Sequence, residues 1–419
     1  MTTVAAIASP AGIRLQALPP LALYVHLPWC VRKCPYCDFN SHEPGRAMIP
    51  IAMPGEGASA GSPPASPALP AELESEYVRA LVQDLESALP EVWGRRIHSV
   101  FFGGGTPSLF SAESIDALLS AFRARLALAP GCEVTLEANP GTFEAAKFRG
   151  YRDAGVNRLS IGVQSFDPEA LRALGRIHGA EEARRAIDIA RASFDNVNLD
   201  LMYALPEQTL ERARADVEEA IAARTAHLSF YHLTLEPNTV FHRRPPPLPD
   251  DDSAALMQDL IAERLARSGY VNYETSAWAL PGRECRHNLN YWSFGDYVGI
   301  GAGAHSKVSF PERVVRSMRV KQPREYLKRA SAGQAVQESR ELSRADLVFE
   351  FMMNALRLAE GFAVATFLER TGLQIAAAER PLARAEQRGL IERDRERIRP
   401  TALGRRFLND LLELFLPER

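Results

Sequence analysis

Cys30, Cys34 and Cys37 fall within eight residues, in the stretch CVRKCPYCDFN (30–40). Thiolates grouped in this way hold soft metals or iron–sulfur clusters. A structural zinc site takes four ligands, often as two separated CxxC pairs, and no second pair occurs: Cys132 and Cys285 stand alone. Ferredoxin-type clusters also take four thiolates. Three thiolates without an evident fourth point to a cluster with its last iron open to a ligand from outside the chain. Trp29, Tyr36 and Phe39 would wall the loop with apolar surface, shielding a cluster and tuning its potential. The plain alternative, three unrelated buried thiols, is disfavoured by the spacing. Cys132 reads as an ordinary small core residue.

The elements around this loop alternate in type. Strand candidates between about residues 21 and 235 are LALYVHLP, HSVFFGGG, CEVTLEAN, VNRLSIGV, NVNLDLMYAL and HLSFYHLTLE. Amphipathic stretches such as ESIDALLSAFRARLAL and EEARRAIDIARASF separate them. Such alternation predicts parallel βα units, in an α/β barrel or a doubly wound sheet. Polar residues at the strand ends favour the barrel: Cys30, Gly104 with Thr106, Glu137, Gln164, Asp200 and Glu236.

The predicted organisation is a flexible tail over 1–20, a core barrel over 21–245, a barrel extension over 246–335, and a helical, winged-helix-like domain over 336–419. Residues 43–72, dense in Pro, Gly, Ala and Ser, predict a disordered or extended insertion. RRPPPLPDDD (243–252) predicts a rigid loop leaving the barrel. In the last segment, helical patterns precede a charged hairpin, LIERDRERIRP.

Of the 419 residues, 46% are hydrophobic and 24% charged, with a formal net charge of −3. That balance argues against a general nucleic-acid or membrane binder. Basic residues exceed acidic ones between Arg384 and Arg406, but with both signs interleaved a solvated packing surface is favoured over DNA binding. No apolar run approaches the ~18 residues needed to span a bilayer. The first residues lack a basic start leading a long apolar core, and an odd, clustered cysteine set is no secreted disulfide framework. Cytoplasm is the expected compartment.

FFGGGTP (101–107) ends a strand on three glycines. No Gly-Lys-Ser/Thr follows, so it is not a phosphate loop; glycines here let backbone approach a ligand closely. A CxxxCxxC loop after a first strand resembles the radical S-adenosylmethionine (SAM) superfamily. The resemblance implies a partial (β/α)6 barrel and a [4Fe–4S] cluster on Cys30, Cys34 and Cys37. SAM would chelate the fourth iron, and an electron from the cluster would cleave it to a 5′-deoxyadenosyl radical. It further implies that Gly104, Gly105 and Thr106 meet the methionine part of SAM, and that Tyr24 and Tyr36 flank it. Glu137 and Asp200 are carboxylates that need partners when buried, which the ammonium and ribose hydroxyls of SAM would supply; Gln164 and Arg176 would complete the polar wall.

NRLSIGVQSF, LTLEPNT and GDYVGIGAGAH resemble one branch of that superfamily, the oxygen-independent coproporphyrinogen III dehydrogenases and the HemW-type heme chaperones. The likeness runs from about residue 20 to the C-terminus, outside the 43–72 insertion. The dehydrogenases carry a further cysteine two positions after the third, and an N-terminal extension with a second SAM; this chain has Phe39 there and about twenty residues before its first strand. CRHNLNYWSFGDY (285–297) resembles the chaperones' H-N-x-x-Y heme motif. Neutral imidazole is a common heme ligand, which makes His287 the candidate, with Asn288 and Tyr291 in support. Tyr291, Trp292, Phe294 and Tyr297 would cover a porphyrin face; Cys285 and His305 are alternative ligands. The resemblance implies a heme-trafficking protein, monomer or homodimer, that binds heme, cluster and SAM and delivers heme to acceptor hemoproteins. Membrane-associated respiratory enzymes are among the expected acceptors, with peripheral membrane contact during delivery and no nucleic acid. The rival readings are radical decarboxylation of coproporphyrinogen III, radical SAM methylation and a DNA-binding regulator.

Overall fold

A computed structural model of the chain describes residues 12–44, 68–142 and 145–417. Six strands lie side by side in chain order, each parallel to the next: β1 (Leu21–Leu27), β2 (Arg96–Gly104), β3 (Ala127–Ala138), β4 (Arg158–Gln164), β5 (Val197–Tyr203) and β6 (His227–His232). Parallel neighbours require crossovers. Helices Ala71–Val92, Ala112–Arg125, Ala145–Ala154, Ala180–Ser193 and Leu210–Ala222 supply them. An order without reversal is that of a barrel rather than a doubly wound sheet.

The barrel is open, because further strands extend both of its edges. On the β6 side lie β7 (Val271–Glu274) and β8 (Ala277–Ala279), in the order β6-β8-β7 and antiparallel. On the other side β9 (Asp296–Ile300) pairs parallel with β1. It is followed outward by antiparallel β10 (His305–Phe310), β11 (Arg313–Arg319) and β12 (Val336–Glu341).

Strand alternation sorts the side chains. Leu21, Leu23, Val25 and Leu27 of β1 join the main apolar core, as do Tyr77, Leu81 and Leu85, spaced four apart on the first helix. Burying each such aliphatic side chain is worth about 1.5–3 kcal/mol. The intervening Tyr24 and His26 share the other face of β1, the barrel interior.

A second apolar core forms around Phe351, whose ring meets Phe294, Phe362 and Phe367 at 4.9–5.7 Å. It sits among helices Arg344–Ala355, Val364–Thr371 and Glu379–Gln387 and a small sheet of β13 (Phe362–Ala363), β14 (Ile391–Arg393) and β15 (Arg397–Pro400). This is a winged-helix-like arrangement. Three of its arginines pair with acids: Arg393 with Glu379 and Glu386, Arg399 with Glu392, Arg406 with Asp259.

Two boundaries differ from expectation. The second half of the expected tail is fixed: Ile13 and Leu15 are buried, and Leu15 N–H donates to Pro311 O at 2.8 Å. The expected break at 336 falls inside the large sheet, since Val336–Glu341 pairs with β11; the second core takes over from Leu342. Most of the expected 43–72 insertion lies outside the described residues.

Candidate functional site

The cysteine loop is closed at its base by backbone. Cys30 N–H donates to His42 O at 3.0 Å and His42 N–H to Pro28 O at 2.7 Å, so the loop leaves and rejoins β1 at one place. Asn40 anchors the returning arm, its amide donating to Ala302 O and Lys321 O at 2.8 Å each, and its own carbonyl meets His26 Nε2 at 2.9 Å. Within the loop Cys37 N–H donates to Cys34 O at 3.1 Å, and at its outer edge Phe241 N–H donates to Pro35 O at 3.0 Å.

The GGGTP turn packs directly on this base. Gly105 N–H donates to Leu27 O at 2.8 Å and Thr106 N–H to Trp29 O at 2.7 Å. A Cβ on Gly105 would stand 2.6 Å from Trp29 O, and one on Gly104, at φ +116°, would stand 2.7 Å from the His26 ring. These two glycines are therefore demanded by the close approach of β2 to the end of β1, which brings Thr106 beside Cys30.

Cys30, Cys34 and Cys37 line one cavity of about 460 Å³ with Tyr36, Gly104, Gly105, Thr106, Glu137, Gln164, Arg176 and Asp200. Among the described residues no three His, Cys, Asp or Glu side chains close around a single ion; the thiols instead border the shared cavity. Each sulfur has a side-chain donor nearby: Thr106 Oγ1 donates to Cys30 at 3.5 Å, Arg176 Nη1 donates to Cys34 at 3.6 Å, and Ser41 Oγ lies 3.7 Å from Cys37, with Ser41 also close to Cys30 and Tyr36 to Cys34. Burial pushes the Cys30 thiol up to about 11, and the Cys37 thiol also upward.

Inward positions of successive strands form the opposite wall. In register, Glu137 faces Ser160, Gly162 faces Asp200, and Asp200 faces Ser229. Ser160 donates to Asp200 at 2.7 Å and Asn198 donates to it at 2.9 Å, while Asn198 accepts from His227 at 2.6 Å. Gln164 is held at φ +71° where β4 breaks register with β5, an unusual conformation for a residue with a side chain. Burial, then the Asp200 charge, pushes Glu137 up to about 8; burial also raises Asp200. Two carboxyls held near each other, whose upward shift the charge of buried Arg158 does not offset, favour a positively charged ligand.

The arrangement fits the group that the loop implies. There are three thiols, room beside them, and a buried guanidinium whose Nε has no partner. Residues 24–220 match the Radical SAM superfamily and residues 342–407 the HemN C-terminal domain. Heme chaperone HemW of Escherichia coli is 46% identical across 96% of this chain and 99% of its own length. The same-named protein of Haemophilus influenzae is 44% identical across 96% and 100%. The chain belongs to the HemW family, within the radical SAM superfamily. Among solved structures, coproporphyrinogen III oxidase (HemN) from Escherichia coli, described as a radical SAM enzyme, matches with a TM-score of 0.76 over 95% of this chain and 90% of its own. At 22% identity that likeness speaks for the fold.

Some residues expected at the site lie elsewhere in this HemW-family chain. Tyr24 does not line the cavity. It sits deeper in the barrel, bonded to His26 Nδ1 at 3.0 Å and stacked near Phe101. Trp29 packs on Tyr77 and His42, whereas Tyr36 and the largely exposed Phe39 do line the cavity. Cys132 is half-buried against the main core.

The HNxxY segment forms helix Arg286–Trp292 at the other end of the barrel, under the N-terminal part of β2 and β3. His287 is 1% exposed. Its Nδ1 meets Ser99 Oγ at 2.9 Å, and its ring stacks on Phe101 at 4.9 Å and meets Tyr291 edge-on at 4.7 Å. Burial, then Arg158, lowers it to about 3, so the imidazole is neutral, and Nε2 has no partner. The chemistry suits an axial ligand, but the closed packing does not admit a porphyrin. The aromatics do not share a face either. Phe294 is buried in the second core, Trp292 lies under Arg357 at 4.3 Å, and Tyr291 meets Tyr297 at 4.4 Å. Cys285 is buried with its thiol 3.6 Å from Glu133, and His305 opens β10 in an exposed position.

The cavity also contains residues that the strand-end reading overlooked: Ser160, Met202, Tyr231, His232 and Ser41. Ser160, Met202 and Tyr231 were signalled as period-two positions in step with Glu137 and Asp200, whereas His232 at the strand end and Ser41 in the loop were not. Among the described residues no helix is long and apolar enough to cross a membrane.

Proposed function

We propose that the protein is a heme chaperone that holds a [4Fe–4S] cluster on Cys30, Cys34 and Cys37, binds SAM beside it, and passes heme to acceptor hemoproteins. One observation carries this reading: identity of 46% to a protein named heme chaperone along nearly the whole length of both chains. The cavity supports its cofactor half. Thr106, Gly104 and Gly105 form one wall, Glu137 and Asp200 offer carboxylates to the SAM ammonium and ribose, and Gln164, Arg176 and Tyr36 close the remainder. When bound, the cluster and SAM supply one-electron chemistry.

His287, Asn288 and Tyr291 remain the proposed heme residues. As packed, they do not fit heme, so contact at His287 Nε2 requires helix Arg286–Trp292 to leave its place against Ser99 and Glu133. Delivery to membrane-associated respiratory enzymes by a cytoplasmic protein is part of the same proposal.

Hemin titration of wild type and His287→Ala by absorbance tests the heme site. A weakened complex with an altered spectrum is expected; identical affinity and spectrum would remove His287. An anaerobic assay of reconstituted protein with coproporphyrinogen III tests the role itself, because sustained protoporphyrinogen formation would replace the chaperone reading with the dehydrogenase one.

A further inference from the structure

The three thiols differ from buried Cys285, whose thiol donates to Glu133, in one respect: each lies beside a side chain that can donate to it, and the three come from different elements. Thr106 comes from the GGGTP turn, Ser41 from the returning arm of the loop, and Arg176 from the segment after helix Pro168–Ala173. We infer that Thr106, Arg176 and Ser41 form a donor shell that raises the reduction potential of the cluster, one donor to each ligand thiolate, with the guanidinium acting through Cys34.

Arg176 carries the inference furthest. It is half-buried in the cavity wall, and among the described residues it forms no ion pair with a carboxylate. Its Nη2 donates to Gly162 O at 2.7 Å, its Nη1 to Cys34 Sγ at 3.6 Å, and its Nε has no partner. A buried cation needs an anion. Among the groups in contact with it, the only one that becomes anionic on metal binding is the Cys34 sulfur. Two of the five guanidinium N–H donors are thus committed before any nucleotide arrives, and the unpartnered Nε–H is among those left for SAM.

Thr106 adds a neutral donor at 3.5 Å in a buried position. For Cys37 and Ser41, at 3.7 Å, either atom can donate while the thiol is protonated. Once Cys37 is a thiolate, only the Ser41 hydroxyl can. Hydrogen bonds to cluster sulfurs stabilise negative charge, and more so in the reduced state, which raises the potential. A charge-assisted donor does so more than a neutral one. The expected order is therefore Arg176 first, Thr106 second and Ser41 last.

The test is a potential titration of the anaerobically reconstituted cluster, followed by EPR and performed without SAM or heme. It compares wild type with Arg176→Gln, Thr106→Val and Ser41→Ala, each checked for full iron and sulfide content. At a fixed potential, Arg176→Gln should shift the reduced-to-oxidised ratio at least tenfold toward oxidised, which corresponds to about 59 mV for a one-electron couple. The two hydroxyl variants should shift it in the same direction by less. Wild-type potentials in all three variants would overturn the inference. Should a variant fail to assemble its cluster, wild type alone decides: pulsed ENDOR of the reduced cluster in H2O and D2O should show exchangeable protons coupled to it, and their absence would be fatal. Because neither measurement involves heme, failure here leaves the chaperone proposal standing, and the reverse also holds.

Discussion

The two ends of the barrel are built from the same strands and treat polar groups in opposite ways. At the carboxyl end, two carboxyls, three thiols and a guanidinium surround open space, and both carboxyls are shifted by burial that their neighbours in the chain only partly offset. At the amino end, helix Arg286–Trp292 plugs the barrel, and the interior polar groups satisfy one another. Glu133 accepts from His287 N–H and Arg286 N–H at 3.1 Å each, which provides the helix start with the cap that the Cys285 side chain does not. One end keeps its polar groups for a ligand; the other spends them on the fold. Among the described residues His287 Nε2 breaks the pattern at the closed end, together with Arg158 Nε and Trp292 Nε1.

The sharpest way to break this contrast is by exchanging cysteines for alanine at each end. Cys34→Ala should abolish the reconstituted cluster, leaving neither the full iron and sulfide content nor its reduced-state EPR signal. Cys285→Ala, at the plugged end, should retain a full complement. Equal loss in both variants would mean that the two ends are not chemically distinct.

Glu133→Ala should open the plug. It removes the acceptor for two buried backbone N–H groups, so a stability loss of about 3–5 kcal/mol is expected. Hydrogen exchange should quicken within residues 286–292, and hemin should associate faster than with wild type. Faster exchange without faster hemin binding would separate the plug from heme entry.

How much of this was readable beforehand follows the same division. The carboxyl end was legible because function writes itself there in unusual residues: Cys30, Cys34 and Cys37, the glycine turn, and acids closing apolar strands. Tyr24 does not reach the cavity lining, because being on the correct face of β1 does not fix depth. Its register partner is Phe101, three residues before Gly104, which puts it a layer below the cavity. The amino end was opaque for a different reason. A motif such as HNxxY shows which residues share a helix face, but not that Ser99 and Glu133, 188 and 154 residues before His287, enclose that face. Phe294 was taken for a porphyrin cover because sequence cannot reveal a second core, built from Leu342 onward, that claims its ring.

A pH series sharpens the open end. The folded value of Glu137, about 8, lies above its ordinary 4.5, so the folded chain holds an extra proton between those values. Stability from this group is complete at low pH and is lost as pH rises through about 8. Binding of a cationic nucleotide runs the other way, since it needs the carboxylate. SAM affinity should therefore strengthen from pH 6 toward pH 8, with proton release near neutrality. Glu137→Gln should weaken binding by about 1.5–3 kcal/mol, roughly 10- to 150-fold, and flatten the slope. A slope unchanged in Glu137→Gln would shift the titration to another group.

Ser99→Ala makes the finest distinction, because it touches only the anchor of His287. The Ser99 contact holds one ring nitrogen and leaves Nε2 free. Losing it should cost about 1–2 kcal/mol, the net worth of one buried hydrogen bond plus an unsatisfied ring nitrogen. If His287 serves only the fold, that thermal destabilisation is the whole effect, and the hemin spectrum stays as in wild type. If it is an axial ligand, the orienting partner of its other nitrogen also sets its basicity. The same substitution should then alter the hemin absorbance band and weaken the complex by more than the lost stability explains. A change in stability with an identical band would place His287 with the plug, and heme would have to be held elsewhere on the molecule.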